Sequence, residues 1–339
     1  MRVALFSPFN TGPLRGNLIT VQRIARHLPP TGWEVVTIPL DSSDYPLCER
    51  LMRQRQPDLL HAFHAFHTGP LVRTLALQQQ RPYLITMTGS DLYDPALSAQ
   101  APTQQALADA AAIVCFDPLS AAQLTAIAPR CANRVTVIPQ GVTPLPVQQP
   151  LVRPAGSFIV LLPAALRPVK GVLEALQTLT PLAAELPRLN LWLAGGDLDP
   201  GYAQHVRHYA AERPWVTLLG EVPHQLMGAV YAASNLVLNT SQFEGGMANT
   251  LLEAMAAARP VIARDVAGNC SLIRHGETGW LFNGEQDLLA LIRQLAANPE
   301  ACAAAGQAAR GYVAAHCSPV QEGAALAGLY QRILNRQRT

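Results

Sequence analysis

Short apolar runs alternate along this chain with longer stretches in which apolar residues recur at helical spacing. In the first half these runs predict strands at 3–6, 33–40, 58–61, 83–87, 112–116 and 135–138. Helical spacing follows in 48–55, 106–112 and 120–127. A second series predicts strands at 158–162, 189–194, 216–219, 236–238 and 260–263. Such alternation predicts βα units with parallel strands.

A proline-rich stretch with little periodicity, residues 143–154, separates the two series and is typical of an interdomain linker. We therefore predict an α/β protein with two doubly wound, Rossmann-like domains, 1–145 and 155–315, whose parallel sheets face a cleft. The tail predicts successive helices, and Ser318-Pro319 is a helix start signal. The last helix, about 318–339, is expected to pack back on the first domain.

The stretch 241–255, SQFEGGMANTLLEAM, carries the most specific pattern. It follows the apolar run 236–238 and leads into apolar residues at helical spacing, which predicts a strand, a glycine turn and a helix start. A helix N-terminus offers backbone N–H groups and a dipole that favours anions, and glycines allow close approach. We expect an anion site here, although Asn249 or Thr250 can equally act as a simple helix cap.

Two acids flank this turn. Glu244 precedes it, and Glu253 lies one to two turns into the predicted helix. Because carboxylates accept hydrogen bonds from vicinal hydroxyls, a phosphate site between two such acids suits a nucleotide-sugar. The alternative is that Glu244 is a loop charge and that Glu253 complements the helix dipole.

Two cations, Arg167 and Lys170, follow the predicted strand 158–162. They lie at the carboxyl edge of the same predicted sheet as the glycine turn, so a diphosphate can meet both features. An ordinary surface role is the alternative for each cation taken alone.

The first half offers weaker candidates. The loop 7–17 contains Gly12 and Gly16, but it lacks the G-x-G-x-x-G spacing, so a nicotinamide enzyme is not supported and an ordinary connection stays open. Three histidines, His61, His64 and His67, follow one strand. No acid or cysteine nearby completes a metal shell, so we expect a substrate contact from one of them rather than a metal site.

Asp91 ends the segment Thr88-Gly89-Ser90-Asp91, which follows the strand 83–87. At this edge of the sheet its carboxylate can accept a hydrogen bond from a sugar hydroxyl. The alternative is that Asp91 caps the helix that follows.

Composition narrows the classes of function. Hydrophobic residues make up 49% of the 339 and charged residues 14%, which is typical of a globular protein. The net charge of +2 without a basic run argues against nucleic acid as a partner. The six scattered cysteines indicate reduced thiols and a cytoplasmic protein without a metal site. No stretch is long and apolar enough to span a membrane, and peripheral membrane contact is left open.

Six motifs lie along the chain's second half: LRPVKG at 166–171, LAGG at 193–196, GEV at 220–222, the 241–255 stretch, PVIA at 260–263 and GETGWLF at 276–282. Together they resemble the retaining glycosyltransferases of family 4, which have the GT-B fold. The resemblance is weak in 1–145 and specific in 158–283. Within the family, T-M-T-G-S-D at 86–91 and V-A-G-N at 266–269 resemble the group called glycosyltransferase 1 domain-containing protein 1, and similar elements occur in selenosugar synthases.

The resemblance implies a nucleotide-diphosphate sugar donor, with a UDP-sugar expected, and a small-molecule or glycan acceptor. It implies transfer of a hexosyl or N-acetylhexosaminyl group with retained configuration, without metal or cofactor and without a covalent enzyme intermediate. The catalytic residues would be Glu244, Arg167, Lys170 and Asp91. The donor would contact Gly16, Gly195, Glu221, Gly246, Met247, Ala248, Asn249, Thr250 and, through its ribose, Glu253.

Two departures from the family pattern stand out. Eight residues separate Glu244 from Glu253 where seven are usual, and Thr88 stands where a sugar-contacting histidine is common. Asp91, His61, His64 or His67 would substitute for that histidine, and Thr88 itself is expected as a candidate contact to the acceptor or the sugar. The alternatives left open are a selenosugar synthase, an epimerase or phosphorylase of the same architecture, and a non-catalytic nucleotide-sugar sensor.

Overall fold

The computed structural model describes residues 1–8, 16–29, 32–40, 45–244 and 246–338. Contacts divide the chain into two compact units. The first contains Met1–Gly141, Gly245–Met247 and Cys317–Thr339, and the second contains Val142–Glu244 and Ala248–His316. The predicted loop 7–17, with Gly12, lies mostly outside the described residues.

The first unit is built on a parallel sheet with strand order β2-β1-β3-β4-β5-β6. Its strands are β1 (Arg2–Pro8), β2 (Glu34–Leu40), β3 (Leu59–Phe63), β4 (Tyr83–Thr86), β5 (Ala112–Cys115) and β6 (Val135–Val137). Its helices are α1 (Gly16–His27), α2 (Tyr45–Arg55), α3 (Gly69–Gln79), α4 (Ser90–Tyr93), α5 (Pro95–Ser98), α6 (Ala101–Asp109) and α7 (Pro118–Ile127).

The second unit repeats the architecture with strand order β12-β11-β10-β7-β8-β9, again all parallel. Its strands are β7 (Phe158–Pro163), β8 (Leu189–Ala194), β9 (Val216–Gly220), β10 (Leu236–Asn239), β11 (Val261–Arg264) and β12 (Trp280–Phe282). Its helices are α8 (Val172–Glu185), α9 (Pro200–Ala211), α10 (Met227–Ala233), α11 (Asn249–Ala256), α12 (Ala267–Cys270), α13 (Glu285–Ala297) and α14 (Pro299–His316).

The inner strands of both sheets are buried on both faces, which explains their uninterrupted apolar runs. In β1, Ala4 and Phe6 belong to one core cluster of the first unit, and Val3 and Leu5 belong to the other. In the second unit, β7 is buried along its whole length. The two doubly wound, parallel α/β folds predicted from the alternation are therefore confirmed.

The last helix, α15 (Pro319–Arg338), belongs to the first unit and packs against α1. A Cβ on Gly323 would lie only 2.1 Å from the carbonyl oxygen of His27, so glycine permits this close approach. Arg23 and Glu322 form a buried ion pair between the two helices, with 2.8 Å between Nε and Oε2. The start signal at Ser318 is confirmed, because its Oγ accepts a hydrogen bond from the Gln321 N–H at 3.3 Å.

Several elements differ from the sequence prediction, and strand β12 is one that was not predicted. The helix predicted at 106–112 is α6, which begins earlier and ends at Asp109, because the Ala111 N–H already bonds the Tyr83 carbonyl at 2.8 Å. Helix α3 was not predicted, although Pro70 in its first turn and the buried Val72, Leu75 and Ala76 carry a helical signal. Within the described residues, no helix combines the length and apolar character needed to cross a bilayer.

Candidate active site

The candidate site in the second unit lies where β7 and β10 end side by side. The two strands pair in parallel, so the segments that leave their carboxyl ends emerge at the same edge of the sheet. Two hydrogen bonds join these segments: the Thr240 Oγ1 donates to the Lys170 carbonyl at 2.7 Å, and the Gln242 N–H donates to the Val169 carbonyl at 2.8 Å. Gly171 is required between them, since its φ is +60° and a Cβ would lie 2.6 Å from the Thr240 oxygen.

Lys170 and Glu244 meet at this edge, as a hydrogen-bonded ion pair with 2.6 Å between Nζ and Oε1. The side chains are 20% and 14% exposed, so the pair is partly desolvated. Lys170 also donates to the Ser241 Oγ at 3.2 Å, and the Asn239 Nδ2 lies 3.4 Å from the Glu244 Oε1. Burial by itself would raise the pKa of Glu244, but the charge and hydrogen bond of Lys170, with hydrogen bonds from Ser241 and Asn239, lower it.

Arg167 precedes the short 3-10 turn Pro168–Lys170 that carries Lys170. Its side chain reaches solvent, and partial desolvation lowers its pKa while the negative charge of Glu244 acts in the opposite direction. An arginine stays protonated under such a shift, so the guanidinium remains a fork-shaped donor beside the pair. The predicted cations and Glu244 therefore belong to one electrostatic cluster.

Helix α11 begins beyond the same edge. Ala248 is its N-cap residue, with φ −64° and ψ 125°, and no side chain caps it. Asn249 and Thr250 are its first two residues, so the alternative in which either one is the N-cap residue does not hold. A helix start without a side-chain cap directs backbone N–H groups and the positive end of its dipole outward, which suits an anion.

Glu253 lies one turn into α11 and is 8% exposed. Its Oε2 accepts a hydrogen bond from the Tyr231 hydroxyl at 2.9 Å, and its Oε1 lies 2.7 Å from the Nε2 of His224. The alternative interpretation as a first-turn acid is not supported, because no acidic residue lies in the first turn of α11. Two donors instead orient this carboxylate.

Gly195 and Glu221 follow β8 and β9. A Cβ on Gly195 would lie 1.9 Å from the Ala164 oxygen, so this glycine is needed for backbone packing at the strand ends. Its N–H donates to the Gly220 carbonyl at 2.8 Å. Glu221 is exposed, next to Gly220 with its φ of +66°.

Asp91 of the first unit is fully buried and saturated with backbone donors. Its carboxylate accepts from the N–H groups of Ala65 at 2.7 Å, Thr88 at 3.0 Å and Gly89 at 2.7 Å. The Asp91 carboxylate therefore connects the segment after β3 to the segment after β4. Because Asp91 has no exposed surface in this structure, its carboxylate cannot contact a ligand there. The Thr88 Oγ1 is buried and has no hydrogen-bond partner within the described residues.

His64, 3% exposed, lies beside this carboxylate. The His67 N–H donates to its Nδ1 at 3.2 Å, so Nε2 carries the proton and donates to the Ser90 Oγ at 2.9 Å. The Asp91 Oδ2 is 4.0 Å from Nδ1, too far for a hydrogen bond, so these residues do not form a nucleophilic triad. Burial lowers the pKa of His64, and the Asp91 charge opposes this.

His61 is not exposed at all. Its Nδ1 lies 2.7 Å from the Tyr330 hydroxyl of α15, and its Nε2 lies 2.7 Å from the Thr86 Oγ1. The ring stacks on Phe63 with 4.2 Å between centroids. The expectation that His61 contacts sugar or acceptor thus finds no surface in the structure, because His61 belongs to the core between the sheet and the last helix.

We expect His61 to make stability depend on pH. Burial lowers its pKa from 6.5 to about 3, so the unfolded chain binds a proton that the folded chain excludes. Its stabilising contribution is complete above pH 6.5 and falls below it by up to about 1.4 kcal/mol per pH unit. Urea unfolding at pH 7, 6 and 5 measures this slope. His61→Gln should show a smaller slope than wild type, and equal slopes would contradict the assignment.

Three more predicted donor contacts belong to the first unit. Gly16 begins α1 and is exposed. Gly246 has φ +150°, and a Cβ there would lie 3.2 Å from the Phe116 ring. The Met247 carbonyl accepts from the Gln140 Nε2 at 3.2 Å. Gly245 lies outside the described residues.

Four residues that contact the candidate site were missed from the sequence. Asn239 and Arg264 end β10 and β11, and the Arg264 Nε donates to the Thr240 carbonyl at 3.2 Å. Asn239 and Arg264 could have been predicted, because each is a polar residue at the end of an apolar strand. His224 and Tyr231 carry no such signal, because only the packing of α10 and the turn before it against α11 brings them to Glu253. Among the described residues, no group of three or more His, Cys, Asp or Glu side chains is arranged to hold a metal ion.

Comparison with known proteins finds a similar family model for each half of the chain. Residues 8–141 match the family model described as "Glycosyl transferase 4-like domain", and residues 157–298 match "Glycosyl transferases group 1". Each half of the chain is thus similar to a glycosyltransferase family model. The chain is 30% identical over 183 residues to glycosyltransferase 1 domain-containing protein 1 of Xenopus tropicalis, covering 51% of this chain and 53% of that protein. It spans about half or less of the length of the curated relatives it matches.

Solved structures share the fold of this chain from end to end. Sucrose-phosphate synthase from Thermosynechococcus elongatus superposes with a TM-score of 0.82 at 20% identity, covering 99% of both chains. HepE from Anabaena, solved in complex with UDP and glucose, superposes with a TM-score of 0.76 at 19% identity, covering 98% of this chain and 100% of that one. The GT-B fold predicted from the motifs is therefore confirmed.

Proposed function

We propose that this protein is a retaining, metal-independent glycosyltransferase that moves a hexosyl or N-acetylhexosaminyl group from a UDP-sugar to a small-molecule or glycan acceptor. The observation that carries the proposal is the partly desolvated Lys170–Glu244 pair, with 2.6 Å between Nζ and Oε1, at the sheet edge from which α11 begins. The pair combines a cation for a phosphate with a carboxylate for a sugar hydroxyl. The glycosyltransferase families of both domains and the UDP complex of HepE support it.

Each residue of this edge then has a chemical role. Arg167 and Lys170 neutralise the diphosphate, assisted by the N–H groups at the start of α11. Glu244, kept ionised by Lys170, accepts a hydrogen bond from a sugar hydroxyl. Glu253, whose carboxylate is oriented by two donors, accepts hydrogen bonds from the ribose hydroxyls.

The proposed reaction breaks the bond between the anomeric carbon and the phosphate oxygen, and the bonding pair leaves with the diphosphate. The acceptor oxygen bonds the anomeric carbon from the same face, and its proton passes to the departing phosphate oxygen. Arg167, Lys170 and the helix N–H groups stabilise the negative charge that develops on the leaving group. No covalent bond to the enzyme forms.

Nucleotide binding is the direct test. We expect UDP to raise the melting temperature of the protein more than ADP or GDP, because a ligand that binds only the folded state stabilises it. Acceptor screening with a UDP-sugar, including selenophosphate as one acceptor, should yield a product whose anomeric configuration by NMR equals that of the donor. Failure of all three nucleoside diphosphates to shift the melting temperature contradicts the proposal.

A non-catalytic nucleotide-sugar sensor is the second candidate. One observation favours it: Thr88, at the position where family members often carry a sugar-contacting histidine, has its hydroxyl buried and without a partner among the described residues. A sensor binds UDP-sugar but releases no UDP with any acceptor. Release of UDP that depends on an acceptor excludes it.

A further inference from the structure

The Glu253 carboxylate is held from two sides by residues of different exposure. Tyr231, fully buried on α10, donates its hydroxyl to Oε2 at 2.9 Å. His224, 30% exposed at the start of the 3-10 turn His224–Leu226, lies with Nε2 2.7 Å from Oε1. One oxygen is thus anchored from the interior and the other from the surface.

This arrangement leaves a defined part of the carboxylate for a ligand. Each carboxylate oxygen offers two lone-pair sites, and each of these two donors uses one of them. The remaining site on each oxygen suits a ligand with two adjacent hydroxyl groups, because two parallel hydrogen bonds can then form. A cis-diol such as that of ribose has this geometry, whereas a 2′-deoxyribose offers one hydroxyl.

We propose that His224 is a positioning residue that, together with Tyr231, orients Glu253 to select ribonucleotides over 2′-deoxyribonucleotides. The inference rests on the proposed function, since it assigns the ligand of Glu253 to a nucleotide. It adds a specificity-determining residue that lies outside the strand-end motifs.

Chemistry separates the roles of the two donors. Burial, reinforced by the charge of Glu253, raises the pKa of Tyr231, so its hydroxyl keeps its proton and always donates. His224 is the partner that can be replaced without opening the core, because it is on the surface side. Removing it leaves Glu253 anchored at Oε2 alone, so the carboxylate gains rotational freedom and loses its fixed two-point geometry.

Calorimetric titration with UDP and 2′-deoxy-UDP tests the proposal on the whole protein. We expect wild type to bind UDP at least tenfold more tightly than 2′-deoxy-UDP, since a hydrogen bond to a charged group is lost. His224→Ala should weaken UDP binding by about tenfold and bring the ratio of the two dissociation constants close to one. His224→Gln, whose amide can donate in place of Nε2, should restore most of the ratio.

His205→Ala is the matched control, because His205 is an exposed histidine on α9 of the same unit. It should leave both dissociation constants unchanged, and the melting temperatures of all variants without nucleotide should agree. An unchanged ratio in His224→Ala, or tighter UDP binding by that variant, overturns this inference alone. Absence of UDP binding by wild type overturns the proposed function and this inference with it.

Discussion

Replacing Lys170 by alanine is expected to lower the turnover of sugar transfer by about 10²- to 10³-fold, the usual effect of removing one preorganised donor from a developing anion. The ammonium group lies 2.6 Å from the Glu244 carboxylate and the Lys170 side chain is only 20% exposed, so the cation is held in place and partly desolvated. UDP release in the presence of acceptor measures the effect. Arg167→Ala should act in the same direction.

The same change should alter the response to pH. With Lys170 present, the pKa of Glu244 lies below its ordinary value. Without it, burial dominates and the pKa rises, so the carboxylate protonates and residual activity falls as the pH is lowered toward the ordinary range of a glutamate. Wild type should keep its activity to lower pH than Lys170→Ala.

Arg207→Ala provides the control for a lost ion pair. Arg207 pairs with Asp197 in the same unit, but the side chains are 53% and 35% exposed, and an exposed pair contributes little. Its turnover should equal that of wild type. Near-normal turnover in both Lys170→Ala and Arg167→Ala would contradict the assignment of these two cations to the diphosphate site.

Glu322→Ala is expected to reduce the free energy of unfolding by about 3–5 kcal/mol, because it leaves the Arg23 guanidinium without its carboxylate in the interior. The Arg23 and Glu322 side chains are 6% and 1% exposed, and two hydrogen bonds, 2.8 and 3.0 Å long, join them. The pair connects α1 to α15, so its loss should weaken the attachment of the last helix. Urea unfolding followed by circular dichroism measures the change.

Glu49→Ala serves as the surface comparison, since its partner Arg53 is 66% exposed on the same helix α2. It should change the free energy of unfolding by less than about 0.5 kcal/mol. The double variant Arg23→Met with Glu322→Leu should recover most of the loss, because it removes both charges rather than one. Equal effects of Glu322→Ala and Glu49→Ala would show that the buried pair has no special weight.

The alternation of apolar runs was sufficient to predict both parallel sheets, because strands covered by helices on both faces need an uninterrupted apolar sequence. The glycine turn after β10 and the cations after β7 could also be predicted from the sequence. They follow strands, and parallel strands end at one edge. The strand order and the length of α6 could not be predicted from the sequence, because they depend on which distant segment forms the backbone hydrogen bonds.

In the first unit, the partners of His61 and Asp91 could not be predicted from the sequence. His61 and Asp91 looked like ligand contacts because both were expected at the carboxyl end of a strand, but His61 lies in the middle of β3. In the folded chain His61 bonds Tyr330 across 269 positions of sequence, and Asp91 accepts N–H groups from two different segments. Local sequence spacing cannot predict hydrogen-bond partners that are so far apart in the chain.

Local patterns along the chain were enough to predict the two α/β units and the candidate residues at the strand ends of the second, because parallel strands carry these residues to one edge. The charge state and orientation of those residues depend on tertiary contacts. The tertiary structure paired Lys170 with Glu244, surrounded Asp91 with backbone donors, enclosed His61 and brought His224 and Tyr231 to Glu253. The physical reason is that burial and hydrogen bonding set the charge and orientation of a polar group, and both arise from residues distant in the chain.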